Sequence, residues 1–302
     1  MVSLMASVRV TSTLHHFCAC AARTLTTSAM PSPKDEAREV IVNYLDGKDN
    51  GIAVLGLNRP TARNSLGQVL VEQLTKALDS IKQNDKLRVL IIRSLVPKVF
   101  CAGADLRERM RMDPSEVPNF VSSLRDLTTK VENLPTPVIS AIDGAALGGG
   151  LELALATDIR IASAEASMGL VETNLAIIPG AGGTQRLPRI IGVAKAKELI
   201  YTARVLNGEQ ASMIGLVNET VPQNKTGDAA YQMALSIARE ILTKGPISIR
   251  WAKVAISKGS EVPLKDGLEL EKQCYSKIVD TQDRLEGLAA FVAKREPVYQ
   301  GK

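Results

Sequence analysis

The hydrophobic pattern of the first 224 residues predicts strands that alternate with helices. Residues 88–93 (RVLIIR) form a continuous apolar run bounded by charge, which is typical of a buried strand. Similar short runs predict strands at residues 53–58, 138–142 and 158–162. A first helix is predicted from apolar residues that lie on one helical face: Leu70, Leu74, Ala77, Leu78 and Ile81. Further helical patterns cover residues 117–133, 150–156 and 194–203.

After residue 224 the strand pattern stops. Four helices are predicted there, at residues 229–242, 247–258, 264–278 and 284–294. Glycine and proline separate them at Gly245-Pro246 and at Gly259. The pattern therefore predicts an α/β body, because strands alternate with helices, followed by a helical C-terminal part.

Composition narrows the class of protein. The chain has 302 residues, 45% of them hydrophobic but only 3% aromatic, so its core must consist mainly of Ala, Val, Ile and Leu. No apolar stretch approaches the roughly 18–20 residues that a membrane span requires. We expect a globular chain with no membrane span.

The first 34 residues differ from the rest in composition. They contain Arg9, Arg23 and Lys34, many serines and threonines, and no Asp or Glu. This composition is typical of a mitochondrial transit peptide, so we expect residues 1–34 to be a transit peptide and the protein to lie in the mitochondrial matrix. A disordered tail with no targeting role is the alternative.

Both histidines of the chain, His15 and His16, lie in that leader. The remainder therefore has no histidine, which excludes Ser-His-Asp and Cys-His catalysis and histidine-ligated zinc there. Its only cysteines are Cys101 and Cys274, which do not make a disulfide framework. Removing the three leader cations from 37 leaves 34 basic residues against 32 acidic ones. This near balance is unlike the dense basic surface of a nucleic-acid-binding protein.

Three glycine-bearing segments are the first candidates for chemistry: residues 100–105 (FCAGAD), 143–152 (DGAALGGGLE) and 178–186 (IPGAGGTQR). None has the Gly-Lys-Ser/Thr of a phosphate-binding P-loop or the GxGxxG dinucleotide pattern. Glycines at strand-to-helix junctions can expose backbone N–H groups that together form an oxyanion hole. Close packing of helix on strand explains the glycines equally well.

Two glutamates favour the catalytic interpretation. Glu152 lies one turn into an otherwise apolar helix, and Glu172 precedes the third glycine segment. A carboxylate among Leu and Ala is costly unless it is paired or used, and without histidine the carboxylates are the remaining general acid–base candidates. Either glutamate alone is more simply explained as a surface or capping residue.

In this order, the motifs resemble the crotonase superfamily, the enoyl-CoA hydratase/isomerase family. The similarity extends from about residue 42 to 301. Its markers are LNRP at residues 57–60 with Asn64, CAGADL at 101–106, ALGGGLELALATDIR at 146–160 and MGLVETNLAIIPGAGGTQRLPR at 168–189.

The resemblance implies a crotonase-type ββα spiral core over residues 35–224 and a C-terminal helical trimerisation region over residues 225–302. The trimers of the family commonly pair into hexamers. It also implies an acyl-CoA substrate whose thioester oxygen is held by the N–H groups of Ala102 and Gly149. Glu152 would activate water and Glu172 would protonate C2. No cofactor and no metal are implied.

The resemblance further implies hydration of an enoyl-CoA, with 3-methylglutaconyl-CoA of leucine degradation as the expected substrate. The alternative is a general short- or medium-chain hydratase of β-oxidation. A distal carboxylate would favour a nearby cation, for which Arg107, Arg109 and Arg111 are candidates, although a solvated helix face is the simpler explanation. The expected substrate-binding residues are Ala102, Gly103, Ala104, Asp105, Gly149, Arg63 and Lys294.

The other alternative is an AU-rich RNA-binding protein with residual hydratase activity, and RNA binding is not favoured. A relative in the family has a lysine-rich surface, and the corresponding cations here are Lys82, Lys86, Arg88 and Arg93. Asp85 lies among them and no aromatic residue is interleaved for base stacking.

Overall fold

The computed structural model describes residues 38–302, so the predicted transit peptide lies outside the described residues. The described strands are β1 (Val40–Tyr44), β2 (Ile52–Leu57), β3 (Val89–Ser94), β4 (Val99–Cys101), β5 (Val138–Ile142), β6 (Ala145–Leu147), β7 (Ile159–Ser163), β8 (Ser167–Gly169), β9 (Leu206–Asn207) and β10 (Glu219–Val221). The four strands expected from the hydrophobic pattern are β2, β3, β5 and β7. Each begins and ends within about two residues of its predicted bounds.

Helices connect and cover these strands. They are α1 (Gln68–Lys82), α2 (Leu106–Arg111), α3 (Val117–Glu132), α4 (Gly149–Leu155), α5 (Gly183–Ile191), α6 (Val193–Tyr201), α7 (Gly208–Met213), α8 (Ala229–Leu242), α9 (Pro246–Gly259), α10 (Leu264–Ser276) and α11 (Gln282–Ala293). The predicted α/β class is confirmed, and so are the four helices expected after residue 224.

The strands form two sheets. The larger sheet has the order β1-β2-β3-β5-β7-β10, with β1 antiparallel to β2 and the other neighbours parallel. The smaller sheet has the order β4-β6-β8-β9. Successive strand pairs β3/β4, β5/β6 and β7/β8 each contribute one strand to each sheet. This repetition is the ββα spiral that the resemblance implies.

Alternating side chains of the larger sheet face two different cores. Val89 and Ile91 of β3 point to the face covered by α8, where Ala234 and Ala238 pack. Leu90 and its alternate neighbours point to the main core, which α1 and α3 also enter. Burial on both faces explains why β3 is a continuous apolar run.

The predicted division at residue 224 stays a prediction, although α8 packs on the sheet and belongs structurally with the body. Beyond it, α10 and α11 leave large apolar side chains on the surface, among them Leu264, Phe291 and Val292. No helix within residues 38–302 is both long enough and apolar enough to span a membrane.

The smaller sheet positions the loops that matter for chemistry. Helix α4 crosses β4 so closely that a side-chain carbon at Gly150 would lie 2.2 Å from the carbonyl oxygen of Cys101. Only glycine permits that approach. The N-terminus of α4 is thereby held against the segment that follows β4.

Candidate active site

A cavity of about 810 Å³ lies where the ends of the small sheet meet α2, α3 and α4. Its polar lining includes residues 102–104, Gly148 and Gly149, and the two glutamates Glu152 and Glu172. Its apolar wall consists of Leu106, Val117, Val121, Leu124, Val171, Leu175, Ile177, Ile178 and Pro179. The structure therefore brings both predicted catalytic glutamates to one cavity.

Glu152 is held as a hydrogen-bonded carboxylate. Its side chain lies one turn into α4, with only 3% of the residue exposed. Its Oε1 accepts hydrogen bonds from the N–H groups of Ala181 (2.8 Å) and Gly183 (2.7 Å). Gly183 is the first residue of α5, so the carboxylate also meets the positive end of a helix. Burial raises the pKa of Glu152, and the two N–H donors oppose that rise by stabilising the ionised form.

Glu172 has the opposite environment. It begins a short 3-10 helix and is half-buried, and its Oε2 is buried without a hydrogen-bond partner within residues 38–302. Burial first, and then the negative charge of Glu152, raise the pKa of Glu172 to about 7. The two carboxyl groups are therefore close enough to interact. Near neutral pH, the pair favours the state in which the two groups together hold one proton.

The backbone N–H groups of the loop after β4 correct one sequence prediction. The N–H of Ala102 donates to the carbonyl oxygen of Arg63 at 3.1 Å, so it is not free for a ligand. The N–H of Ala104 has no acceptor within residues 38–302, nor does that of Gly149 at the start of α4. A side-chain carbon at Gly149 would lie 3.6 Å from the Ala104 nitrogen, so the two groups are neighbours. The free donor pair is Ala104 and Gly149.

We name residues 101–105 the donor loop. Its backbone turns at Gly103, where φ is +96° and a side-chain carbon would lie 2.8 Å from the carbonyl oxygen of Leu147. Asp105, expected to bind substrate, is not in the cavity lining. Its carboxylate instead caps α2 by accepting from the N–H groups of Arg107 (3.0 Å) and Glu108 (3.1 Å). Both oxygens of Asp105 are engaged in holding the loop, and its contact with substrate stays a prediction.

Behind the donor loop is an ion-pair cluster around Arg59, which sequence reasoning missed. The guanidinium contacts Glu39 (2.9 Å), Asp105 (2.8 Å) and Glu108 (2.9 Å). Glu108 also accepts from the N–H of Gln68, at the start of α1. Burial alone would raise the pKa of Asp105, but hydrogen bonds from Glu108 and Arg59 lower it overall. The spacing of Asp105 and Glu108, that of a helix capping box, could have revealed the cap.

Asn64 is the second missed positioning residue. It is fully buried with a left-handed φ of 55°. Its Oδ1 accepts from the N–H of Arg59 (2.7 Å), and its Nδ2 donates to Ser94 Oγ (2.8 Å) and to the Phe100 carbonyl oxygen (3.0 Å). One amide thus ties the LNRP segment to the ends of β3 and β4. Its place in the motif was visible in the sequence, but its partners were not.

The two expected coenzyme A contacts lie outside the lining of this cavity, and their role stays a prediction. Arg63 is exposed and Lys294 is exposed at the end of α11, and neither lines the cavity. Of the three arginines of α2, only Arg109 lines it. Arg125 of α3 lines it as well and was not anticipated.

The cations considered for RNA binding do not form a free patch. Arg88 donates to the carbonyl oxygens of Leu242 and Lys244, and Arg93 stacks on the ring of Tyr231 with 3.9 Å to its centroid. Only the two lysines of the set are exposed. In the described part of the chain, no three His, Cys, Asp or Glu side chains come together as a metal site.

Comparison with known proteins agrees with this geometry. A family model described as enoyl-CoA hydratase/isomerase matches residues 47–302. The chain is 56% identical over 264 residues to methylglutaconyl-CoA hydratase, mitochondrial, of Rattus norvegicus, covering 87% of this chain and 84% of that one. It is 54% identical to enoyl-CoA hydratase domain-containing protein 2, mitochondrial, of Mus musculus, covering 87% of this chain and 89% of that one. Among solved structures, enoyl-CoA hydratase from Bacillus anthracis matches with a TM-score of 0.83 and 48% identity, over 88% of this chain and 100% of that one.

Proposed function

The chain belongs to the enoyl-CoA hydratase/isomerase family, and from this premise we propose that it adds water across the 2,3 double bond of an enoyl-CoA thioester. The observation that carries the proposal is the pairing, in one cavity, of two unlike glutamates with two free N–H groups. Addition of water to a conjugated thioester needs these groups: a site for enolate charge, a base and an acid.

The N–H groups of Ala104 and Gly149 hold the thioester oxygen in this proposal. Negative charge develops on that oxygen as water attacks C3, and donors fixed by the fold stabilise it without reorganisation. Each such donor is typically worth roughly 3–4 kcal/mol of barrier. Ala104 replaces Ala102 in this role because the N–H of Ala102 is already bonded to Arg63.

We assign the roles of base and acid to the two carboxyl groups from their protonation states. Glu152, stabilised as a carboxylate by two N–H donors, takes a proton from the attacking water while the C3–O bond forms. Glu172, with a pKa of about 7, delivers its proton to C2 as the π bond is consumed. The product is a 3-hydroxyacyl thioester, and the pair still carries one proton. The proposed reaction steps use no cofactor or metal.

The substrate we propose is 3-methylglutaconyl-CoA. Three of the most similar relatives, from rat, human and mouse, carry the name methylglutaconyl-CoA hydratase, at 55–56% identity. The relatives named enoyl-CoA hydratase domain-containing protein 2 are nearly as similar, at 53–54% identity. A short- or medium-chain enoyl-CoA is therefore the second candidate, and the same donors and glutamates would serve it.

Assembly and location complete the proposal. Exposed apolar residues of α10 and α11, such as Leu264, Phe291 and Val292, support self-association into a trimer, or a hexamer of two trimers. The word mitochondrial in the relatives' names, together with the composition of residues 1–34, supports the mitochondrial matrix.

The test is hydration measured by loss of enoyl-thioester absorbance. Purified protein lacking residues 1–34 is given 3-methylglutaconyl-CoA and, separately, crotonyl-CoA, and kcat/KM is compared. We expect turnover of both, with the branched substrate preferred. Preference for crotonyl-CoA would favour the second candidate, and no turnover of either would refute a hydratase.

A further inference from the structure

Arg109 is a cation in the wall of the cavity, and its charge has no ion-pair partner among the described residues 38–302. It lies in α2, is half-buried, and its buried Nε has no hydrogen-bond partner within residues 38–302. The described part of the chain contains no salt bridge to it. Burial lowers the pKa of Arg109, with no carboxylate acting against that effect. Such an arrangement is costly, because a buried charge normally requires an opposite charge.

The contact that Arg109 does make leaves its hydrogen-bond donors available. Its guanidinium carbon lies 5.2 Å from the centroid of the Phe120 ring, which fixes the face of the guanidinium. A guanidinium stacked in this way still presents N–H groups at its edge, in the fork geometry that matches a carboxylate. The aromatic ring therefore orients the group rather than satisfying it.

The other arginines nearby differ in the property that matters. Arg107 and Arg111 belong to the same helix but are exposed and do not line the cavity. Arg125 lines the cavity but is exposed, so water hydrates it. Arg109 alone of these four combines partial burial with a place in the cavity wall.

Its distance along the chain suits the far end of a short acyl group. The N–H of Arg109 donates to the carbonyl oxygen of Asp105, so the residue lies one helical turn beyond the donor loop. A turn of helix rises about 5.4 Å. Arg109 is thus within reach of the distal carbons of an acyl group whose carbonyl is held at Ala104.

We propose that Arg109 determines specificity by binding a second carboxylate at the far end of the acyl group, so that the site selects dicarboxylic enoyl-CoA thioesters. The inference rests on the proposed function for the placement of the thioester. It explains the unpaired guanidinium: the substrate supplies the opposite charge, and the bidentate pair forms only when that substrate is bound.

Binding of saturated thioesters tests this without catalysis. Glutaryl-CoA and pentanoyl-CoA have five-carbon acyl groups that differ in a terminal carboxylate, and their affinities are measured by calorimetry. The variants are Arg109→Met, Arg109→Lys and, as the matched control on the same helix, Arg107→Met. We expect the preference for glutaryl-CoA over pentanoyl-CoA to fall about 10- to 100-fold in Arg109→Met. Arg107→Met should keep it, and Arg109→Lys should keep part of it.

The outcomes separate this inference from the proposed function. Equal weakening of both thioesters in Arg109→Met would place the arginine on the coenzyme A moiety and overturn the inference. An unchanged preference would also overturn it, whether or not the protein hydrates crotonyl-CoA. If neither thioester binds the wild-type protein, the proposed function fails first. Should Arg109→Met not fold, the preference for glutaryl-CoA that remains in Arg109→Lys decides. If Arg109→Lys keeps that preference completely and Arg107→Met loses it, the assignment is refuted.

Discussion

The two sides of the donor loop treat polar groups in opposite ways. Behind it, Arg59 meets three carboxylates and Asn64 uses both ends of its amide. In front of it, the N–H of Ala104, one oxygen of Glu172 and the Nε of Arg109 have no partner within residues 38–302. Both sets are at least partly buried, so burial alone does not distinguish them.

The difference shows what each set does. A satisfied cluster stabilises one conformation and gains nothing from a ligand. An unsatisfied set keeps the cost of desolvation until a ligand or a reacting atom provides the missing partner. Mutations behind the loop should therefore reduce stability, whereas mutations in front should reduce activity and leave stability equal or higher.

The largest expected effect is on turnover. Glu152→Gln and Glu172→Gln each remove a proton acceptor or donor, so kcat for hydration should fall about 10²- to 10⁴-fold, while the affinity for saturated thioesters changes little. Glu165→Gln, at an exposed position, is the matched control and should retain wild-type turnover. Activity near that of the wild type in either catalytic variant would remove the glutamate pair from the mechanism.

Behind the loop, Arg59→Met should destabilise the fold. It leaves Glu39, Asp105 and Glu108 close together without their common cation, and we expect the free energy of unfolding in urea to drop by about 2–4 kcal/mol. Arg63→Met, four residues away and exposed, should change it by less than about 0.5 kcal/mol. Equal stability of the two variants would show that the cluster is not a structural support.

The pH dependence of hydration sharpens the contrast between the two glutamates. The pair must carry one proton, so kcat/KM should fall about tenfold per unit as the pH rises above the pKa of Glu172, which is about 7. It should also fall in acid, when Glu152 is protonated. A profile that stays level from pH 7 to 9 would contradict the assignment of Glu172 as the proton donor.

The smallest effect concerns the stability cost of Glu172. Its pKa is higher in the folded protein, about 7, than the usual 4.5, so the folded state holds this proton more tightly than the unfolded state does. Stability therefore decreases as the pH rises between these values. The free energy of unfolding of Glu172→Gln minus that of the wild type should consequently be about 1–2 kcal/mol larger at pH 8 than at pH 5, after allowance for partial exposure. Urea unfolding at both pH values measures it, and a gain in Glu165→Gln as well would indicate a general charge effect.

The sequence predicted most of the architecture because its signals are local. Apolar runs such as β3 and helical periodicity such as that of α1 depend on neighbouring residues alone. The sequence also pointed to Glu152 and Glu172, because carboxylates in apolar surroundings are visible in the sequence itself, and the structure places both in the lining of one cavity.

What the sequence could not show depends on distant partners. Whether the N–H of Ala102 or that of Ala104 is free is decided by the carbonyl of Arg63, on a segment almost forty residues earlier. The role of Asp105 depends in the same way on Arg59. Of the arginines of α2, Arg109 lines the cavity and lies over the ring of Phe120 in α3, a contact between two helices that the sequence alone does not place together.

The placement of the two free N–H groups has a consequence for how such a protein can diversify. Ala104 follows β4 and Gly149 follows β6, and these are hydrogen-bonded neighbours in the small sheet. Strand spacing, about 4.8 Å, is a backbone dimension that side-chain mutations scarcely alter. The apolar wall of the cavity, by contrast, is made of side chains from α2, α3 and residues 171–179. Under the proposed function, inherited point mutations in this wall can change which thioester is accepted, while the N–H donors for its carbonyl group keep their positions from ancestor to descendant.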